Sequence, residues 1–119
     1  MIEGDVALTS LPQADGFAKP RPVILLRRMP PFGDWLICGV STQIHQRVVG
    51  FDETIEPLHH DFAQSGLKAA SLIRLGFLAV LPSSQFLGKI GSISRERHMR
   101  LLQRLSAFLT EEYNQRSKK

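Results

Sequence analysis

Two prolines flank Arg21 at the entrance to the apolar run Val23-Ile24-Leu25-Leu26, and they leave the chain one option there. Each proline fixes its own φ and gives up a backbone donor, and Pro22 also pushes Arg21 towards extended geometry. Residues 22–28 therefore read as a strand, and the unbroken apolar run implies burial on both faces. Arg21 is presented from a stiff backbone at the mouth of that strand. Its guanidinium matches a phosphate through two parallel hydrogen bonds and stays charged at any working pH.

The flanking segments carry the signals of more strands. Residues 5–10 alternate loosely and are rich in Val, Leu and Thr, which predicts a first strand. Residues 11–19 contain Pro12 and Gly16 and read as a loop of about nine residues, longer than a usual hairpin connection. Met29-Pro30-Pro31-Phe32-Gly33-Asp34 is a turn. Residues 35–40 follow as a strand, with Gly39 marking a bulge or a close backbone approach. Thr54-Ile55-Glu56 suits a short strand. Phe62-Ala63-Gln64-Ser65 suits one helical turn stopped by Gly66. Residues 71–81 form a long apolar stretch, and Gly76 and Pro82 favour a strand bent at the glycine. Residues 87–93 give the last strand.

Ser94 is a good N-cap for the clearest helix, with Glu96 in its first turn. Leu101, Leu102, Leu105, Phe108 and Leu109 fall on one apolar stripe, and Arg97, Arg100 and Arg104 lie beside it. The pattern ends at Tyr113, so residues 1–113 are expected to form one domain and 114–119 a disordered basic tail. Short strands with Gly/Pro turns and one C-terminal helix predict a mainly β fold, a small, partly open barrel capped by the helix.

Charge narrows the function. The net charge is +4. Residues 1–94 hold eight Lys/Arg against eight Asp/Glu, while residues 95–119 hold seven against three. The body is neutral, so a uniformly basic nucleic-acid coat is excluded, but Lys19, Arg21, Arg27 and Arg28 could still form a local polyanion site. A solvated surface role weighs equally for Arg27 and Arg28. One cysteine, Cys38, precludes an internal disulfide and is best read as a small buried hydrophobe. No apolar run approaches the roughly 20 residues of a membrane span. With an acidic N-terminus that lacks a signal-peptide pattern, these features favour the cytoplasm.

Gly4-Asp5-Val6, Arg21-Pro22-Val23-Ile24-Leu25, Ser41-Thr42-Gln43, Ser65-Gly66-Leu67 and Lys89-Ile90-Gly91 occur in that order. The arrangement resembles the MazF/PemK family of toxin ribonucleases over residues 3–110. The resemblance implies a small SH3-like barrel of the CcdB/Kid/MazF type, a homodimer, and a cognate antitoxin. It also implies metal-independent cleavage of single-stranded RNA with no cofactor. Arg21 matches the family's active-site arginine, and Ser41, or else Thr42, matches its hydroxyl residue. Lys19, Gln43, His45 and Arg74 are the accompanying candidates for RNA contact. In RNA the attacking group is the substrate's own 2′-hydroxyl, so the products would be a 2′,3′-cyclic phosphate and a 5′-hydroxyl. Some relatives carry an acid where Gly76 stands here, which leaves the general base open.

Other candidates have plainer readings. His45, His59, His60 and His98 could titrate near neutrality, but a solvated histidine is the default for each, and His59-His60-Asp61 lacks the spacing of a metal site. Phe17, Phe32 and Trp35 could stack on bases, though Trp35, in a strand, suits core or interface better. The competing function is a non-catalytic member of the same fold that acts by binding a protein, as gyrase-poisoning relatives do. The loss of an acid at Gly76 favours it.

Overall fold

The computed structural model describes residues 1–12 and 18–117. Ten elements follow one another: β1 (Asp5–Pro12), β2 (Ala18–Met29), β3 (Asp34–Ser41), a 3-10 turn (Ile44–Gln46), β4 (Glu53–Ile55), α1 (Phe62–Ser65), β5 (Ser71–Leu81), a second 3-10 turn (Ser83–Gln85), β6 (Phe86–Ser92) and α2 (Arg95–Ser117). The strands form one antiparallel sheet in the order β4-β5-β3-β2-β1-β6. Its edges, β4 and β6, do not pair with each other, so the mainly β barrel is open.

The apolar run of β2 is buried on both faces. Ile24 and Leu26 join Val6, Cys38, Val40, Ile73 and Leu75 in a cluster covered by Leu101 and Leu105 of α2. Val23 and Leu25 face the other way, with Ala7, Trp35 and Ile37 beneath Ala79, Leu81 and Phe86. Alternation along the strand produces both cores from one tetrapeptide. Trp35 belongs to the second core, and Arg28 lies 4.3 Å over its ring.

Two expectations change. The loop expected at 11–19 gives up both its ends to strand, residues 11–12 to β1 and 18–19 to β2, because the two stay paired from Val6↔Ile24 to Pro12↔Ala18. Pro20 and Pro22 remain compatible with that ladder, whereas the β2–β3 ladder starts only at Val23↔Gly39, just past residues with no N–H to give. Gly16 and Phe17 lie outside the described residues. Helical backbone also continues to Ser117, beyond the Tyr113 end read from the sequence; Lys118 and Lys119 again lie outside.

Other expectations hold closely. Gly66 caps α1 at φ 74°, ψ 2°. A Cβ there would meet the carbonyl of Ile90, and one at Gly91 would meet the backbone of Gln64 and Ser65. These two glycines let α1 and β6 close on each other backbone to backbone. β5 is bent where expected: its register against β3 jumps between Cys38↔Leu78 and Gly39↔Arg74, which throws residues 75–77 into a bulge. A Cβ on Gly39 would lie 3.1 Å from the Phe77 ring, so Gly39 marks both a bulge and a close approach. Ser94 caps α2, its Oγ accepting the Arg97 N–H at 3.1 Å.

Candidate functional site at the β2–β3 fork

Directly opposed residues of an antiparallel pair share a face. Continuing the Val23↔Gly39 register by two residues sets Arg21 opposite Ser41, just beyond the last paired rung. Thr9 on β1 pairs with Arg21, and Leu72 on β5 pairs with Ser41. Thr9, Arg21, Ser41 and Leu72 thus form one row, at a fork where the backbones of β2 and β3 are not joined. The next row is Val23, Gly39 and Arg74. Arg74 lies on the same face as Arg21, two strands away and one step along, at about 12 Å between backbones from standard sheet spacings.

The Ser41 hydroxyl is already engaged. Its Oγ accepts the Gln43 N–H at 3.0 Å, which closes a turn at the strand end and leaves the O–H to donate outwards. Thr42 and Gln43 are exposed in the same turn, His45 is exposed in the 3-10 turn after it, and Lys19 is exposed on β2. Arg21 and Arg74 are half-buried. The fork therefore gathers two guanidinium groups and a positioned hydroxyl donor on one face of the sheet. Gly76, exposed in the bulge, brings no carboxylate.

Arg27 and Arg28 do not join this group. Arg27 pairs with Glu3 at 3.0 Å and Arg28 stacks on Trp35, towards the far end of β2. His98 is structural: its Nε2 donates to the Leu26 carbonyl at 2.8 Å. Burial and the nearby Asp52 charge push the Cys38 thiol up to about 12, so it behaves as the small hydrophobe expected.

The sequence reading missed a buried ion network across the sheet. Asp61 is fully buried and takes both Nε and Nη2 of Arg97. Arg97 Nη1 continues to Glu53 at 2.8 Å, and Glu53 also binds Arg100 at 3.0 Å and Arg104 at 3.6 Å. Burial alone would raise the Asp61 carboxyl, but hydrogen bonds from Arg97 and Ser94 hold it well below the ordinary range. The spacing of Arg97, Arg100 and Arg104 was visible; their carboxylate partners sit about 40 residues earlier on other elements, and periodicity does not report them.

Residues 2–109 match the PemK-like, MazF-like toxins of type II toxin–antitoxin systems. The chain belongs to this family. Among solved structures, the Mycobacterium tuberculosis toxin MazF-mt6 is similar in fold, with a TM-score of 0.64 at 19% identity, over 87% of this chain and 95% of that one. None of the curated proteins matches. Family membership gives several of the ordered motifs a structural meaning. Gly4 donates to Leu25 O and accepts from Ile93, and Asp5 pairs with Lys89 at 3.3 Å, so Gly-Asp-Val fastens the N-terminus to both neighbours of β1. Ser-Gly-Leu and Lys-Ile-Gly form the α1–β6 junction. Among the described residues no helix is long and apolar enough to cross a membrane.

Proposed function

We propose that this toxin is an endoribonuclease that cuts single-stranded RNA at the β2–β3 fork. What carries the reading is the register that sets Arg21 opposite Ser41 where the ladder is open. A phosphodiester seated there would be held by Arg21, with the Ser41 O–H donating to a non-bridging oxygen and Arg74 approaching from the adjacent row. Thr42, Gln43, His45 and Lys19 line the approach for neighbouring nucleotides. Catalysis then comes from positioning the 2′-hydroxyl in line and stabilising the charge that develops on phosphorus oxygens. The 2′-oxygen attacks, the P–O5′ bond breaks, and the products are a 2′,3′-cyclic phosphate and a 5′-hydroxyl. The nucleophile belongs to the substrate, and the scheme calls for no metal or cofactor.

The toxin class implies an antitoxin partner. We assign it to the same cations, with an acidic segment competing with RNA for Lys19 and Arg21. We also propose a homodimer in the cytoplasm. Phe77, Leu78 and Val80 on β5 are each at least 40% exposed, and we assign them to its interface.

A second reading, poisoning of a protein target without catalysis, is favoured by Gly76, which supplies no carboxylate beside the fork. The two separate on one experiment. Purified protein is incubated with matched RNA and DNA single strands. Cleavage of the RNA alone supports the nuclease, and intact RNA at high toxin concentration supports the protein-binding reading.

A further inference from the structure

A cleft of about 500 Å³ opens on the opposite face of the sheet from Arg21, against the free edge strand β4. Its walls are the 47–54 segment, His59 and His60, and Arg97, Arg100 and Arg104 of α2. Glu53 and Ile55 share the face of Ile73 and the α2 core, whereas Arg21 shares the face of Val23. The cleft is therefore separate from the fork.

Its polar chemistry is one-sided. All six oxygens of the three carboxylates are engaged within the protein. Asp61 binds Arg97 and the Ser94 N–H. Glu53 binds Arg97 and Arg100. Asp52 accepts the N–H groups of Val48 and Leu75. The arginines and His59 bring further donors to the cleft. Arg47 makes no side-chain bond among the described residues, and its backbone only closes the 3-10 turn. Arg100 keeps Nη1, and Arg104 keeps Nε and Nη2. His59 Nδ1 accepts the Glu56 N–H at 3.0 Å, so the neutral ring carries its proton on Nε2 and can donate. Glu53 fixes Arg100 and Arg104 in place, so their guanidinium groups are ordered before any ligand arrives. With both histidines neutral, four arginines face three carboxylates, which leaves a positive cleft.

We propose that this cleft binds a phosphate group, and that in the toxin's substrate complex the phosphate is one of the RNA backbone, several nucleotides from the bond held at the fork. Guanidinium forks suit a tetrahedral oxyanion, and the carboxylate oxygens that would repel one are already engaged by donors within the protein. The path is short. The row from Arg21 through Ser41 and Leu72 ends at Thr54, which lines the cleft, and Ser41 lies about 10 Å from β4 by strand spacing. The chain from Ser41 to Asp52 also runs from the fork to the cleft. An RNA strand leaving the fork reaches the cleft by turning over β4. The RNA part rests on the nuclease reading above.

Binding is measured with labelled, uncleavable 2′-O-methyl oligoribonucleotides, one of about twelve nucleotides and one of about three, a span set by typical single-strand sites. Arg47→Glu, and separately Arg104→Gln, are expected to weaken the long strand about tenfold and lower its salt slope by about 0.7, the loss of one phosphate contact. The advantage of the long strand over the short one should shrink accordingly. In parallel, inorganic phosphate is titrated into ¹⁵N-labelled protein, and shifts are expected at residues 47–50 and 59–60 that Arg47→Glu removes. Equal losses on both lengths, or none, overturn the RNA assignment; if the phosphate shifts persist, the cleft takes free phosphate or nucleotides instead. No phosphate shifts, or Arg47-dependent binding of polyglutamate but not of RNA, overturns the phosphate site. Failure of the wild type to cut RNA, with length-dependent binding retained, counts against the nuclease reading alone.

Discussion

At the scale of single residues the account rests on Arg21. Arg21→Ala is expected to lower RNA cleavage about a hundredfold, or on the order of 3 kcal/mol of transition-state stabilisation, with the circular dichroism spectrum unchanged. Ser41→Ala should cost less, since it removes one neutral donor and the Gln43 turn contact. Single-turnover rates on one RNA check both, and an Arg21→Ala rate within a few-fold of wild type contradicts the assignment. Much of this was legible in the sequence. Two prolines around an arginine dictate a stiff strand mouth, and their missing donors explain why the β2–β3 ladder opens beside it. The partition of cations was not legible. Lys19, Arg21, Arg27 and Arg28 are close in sequence, but Glu3 and Trp35 take the last two, and such partners are set by tertiary packing.

At the scale of elements, the Asp61–Arg97–Glu53 network ties α2 to β4 and to the turn before α1. Arg97→Ala leaves Asp61 and Glu53 buried with lost partners and should cost about 3–5 kcal/mol in urea unfolding. Arg27→Ala, which removes an exposed pair, should cost under about 1 kcal/mol. The network also sets an acid limit. The folded-state pKa of Asp61 is depressed, so its contribution is complete above the unfolded value of about 3.9 and is lost as pH falls through the folded one. Stability should therefore drop below about pH 4, and Asp61→Asn should flatten that slope while lowering stability at neutrality. An unchanged slope would show that other carboxylates govern acid unfolding. Elements themselves were largely readable. The α1 stop at Gly66 and the β5 bend at Gly76 follow from glycine placement. The reach of the β1–β2 ladder out to Pro12↔Ala18 was not, because Pro12 reads as a loop residue when the pairing partner is unknown.

At the scale of the whole molecule, the open sheet leaves surface for partners. Light scattering at micromolar concentration should show a homodimer, and a lone 13.4 kDa species would contradict it. Association with an acidic antitoxin should slow as salt rises and weaken when Lys19 and Arg21 are both replaced by Ala. The fold class was legible because strand signals, Gly/Pro turns and one terminal helix agree. The cleft was not, since its walls come from three separate segments. The central claim is that the fork cuts RNA with the substrate's own hydroxyl. Its most direct test is end-group analysis of the products made by purified protein in EDTA, together with an RNA carrying one 2′-deoxy sugar at the cut site. The account predicts a 2′,3′-cyclic phosphate and a 5′-hydroxyl, and no cleavage at the deoxy position. A 5′-phosphate product, or cleavage that persists beside the deoxy sugar, would contradict it.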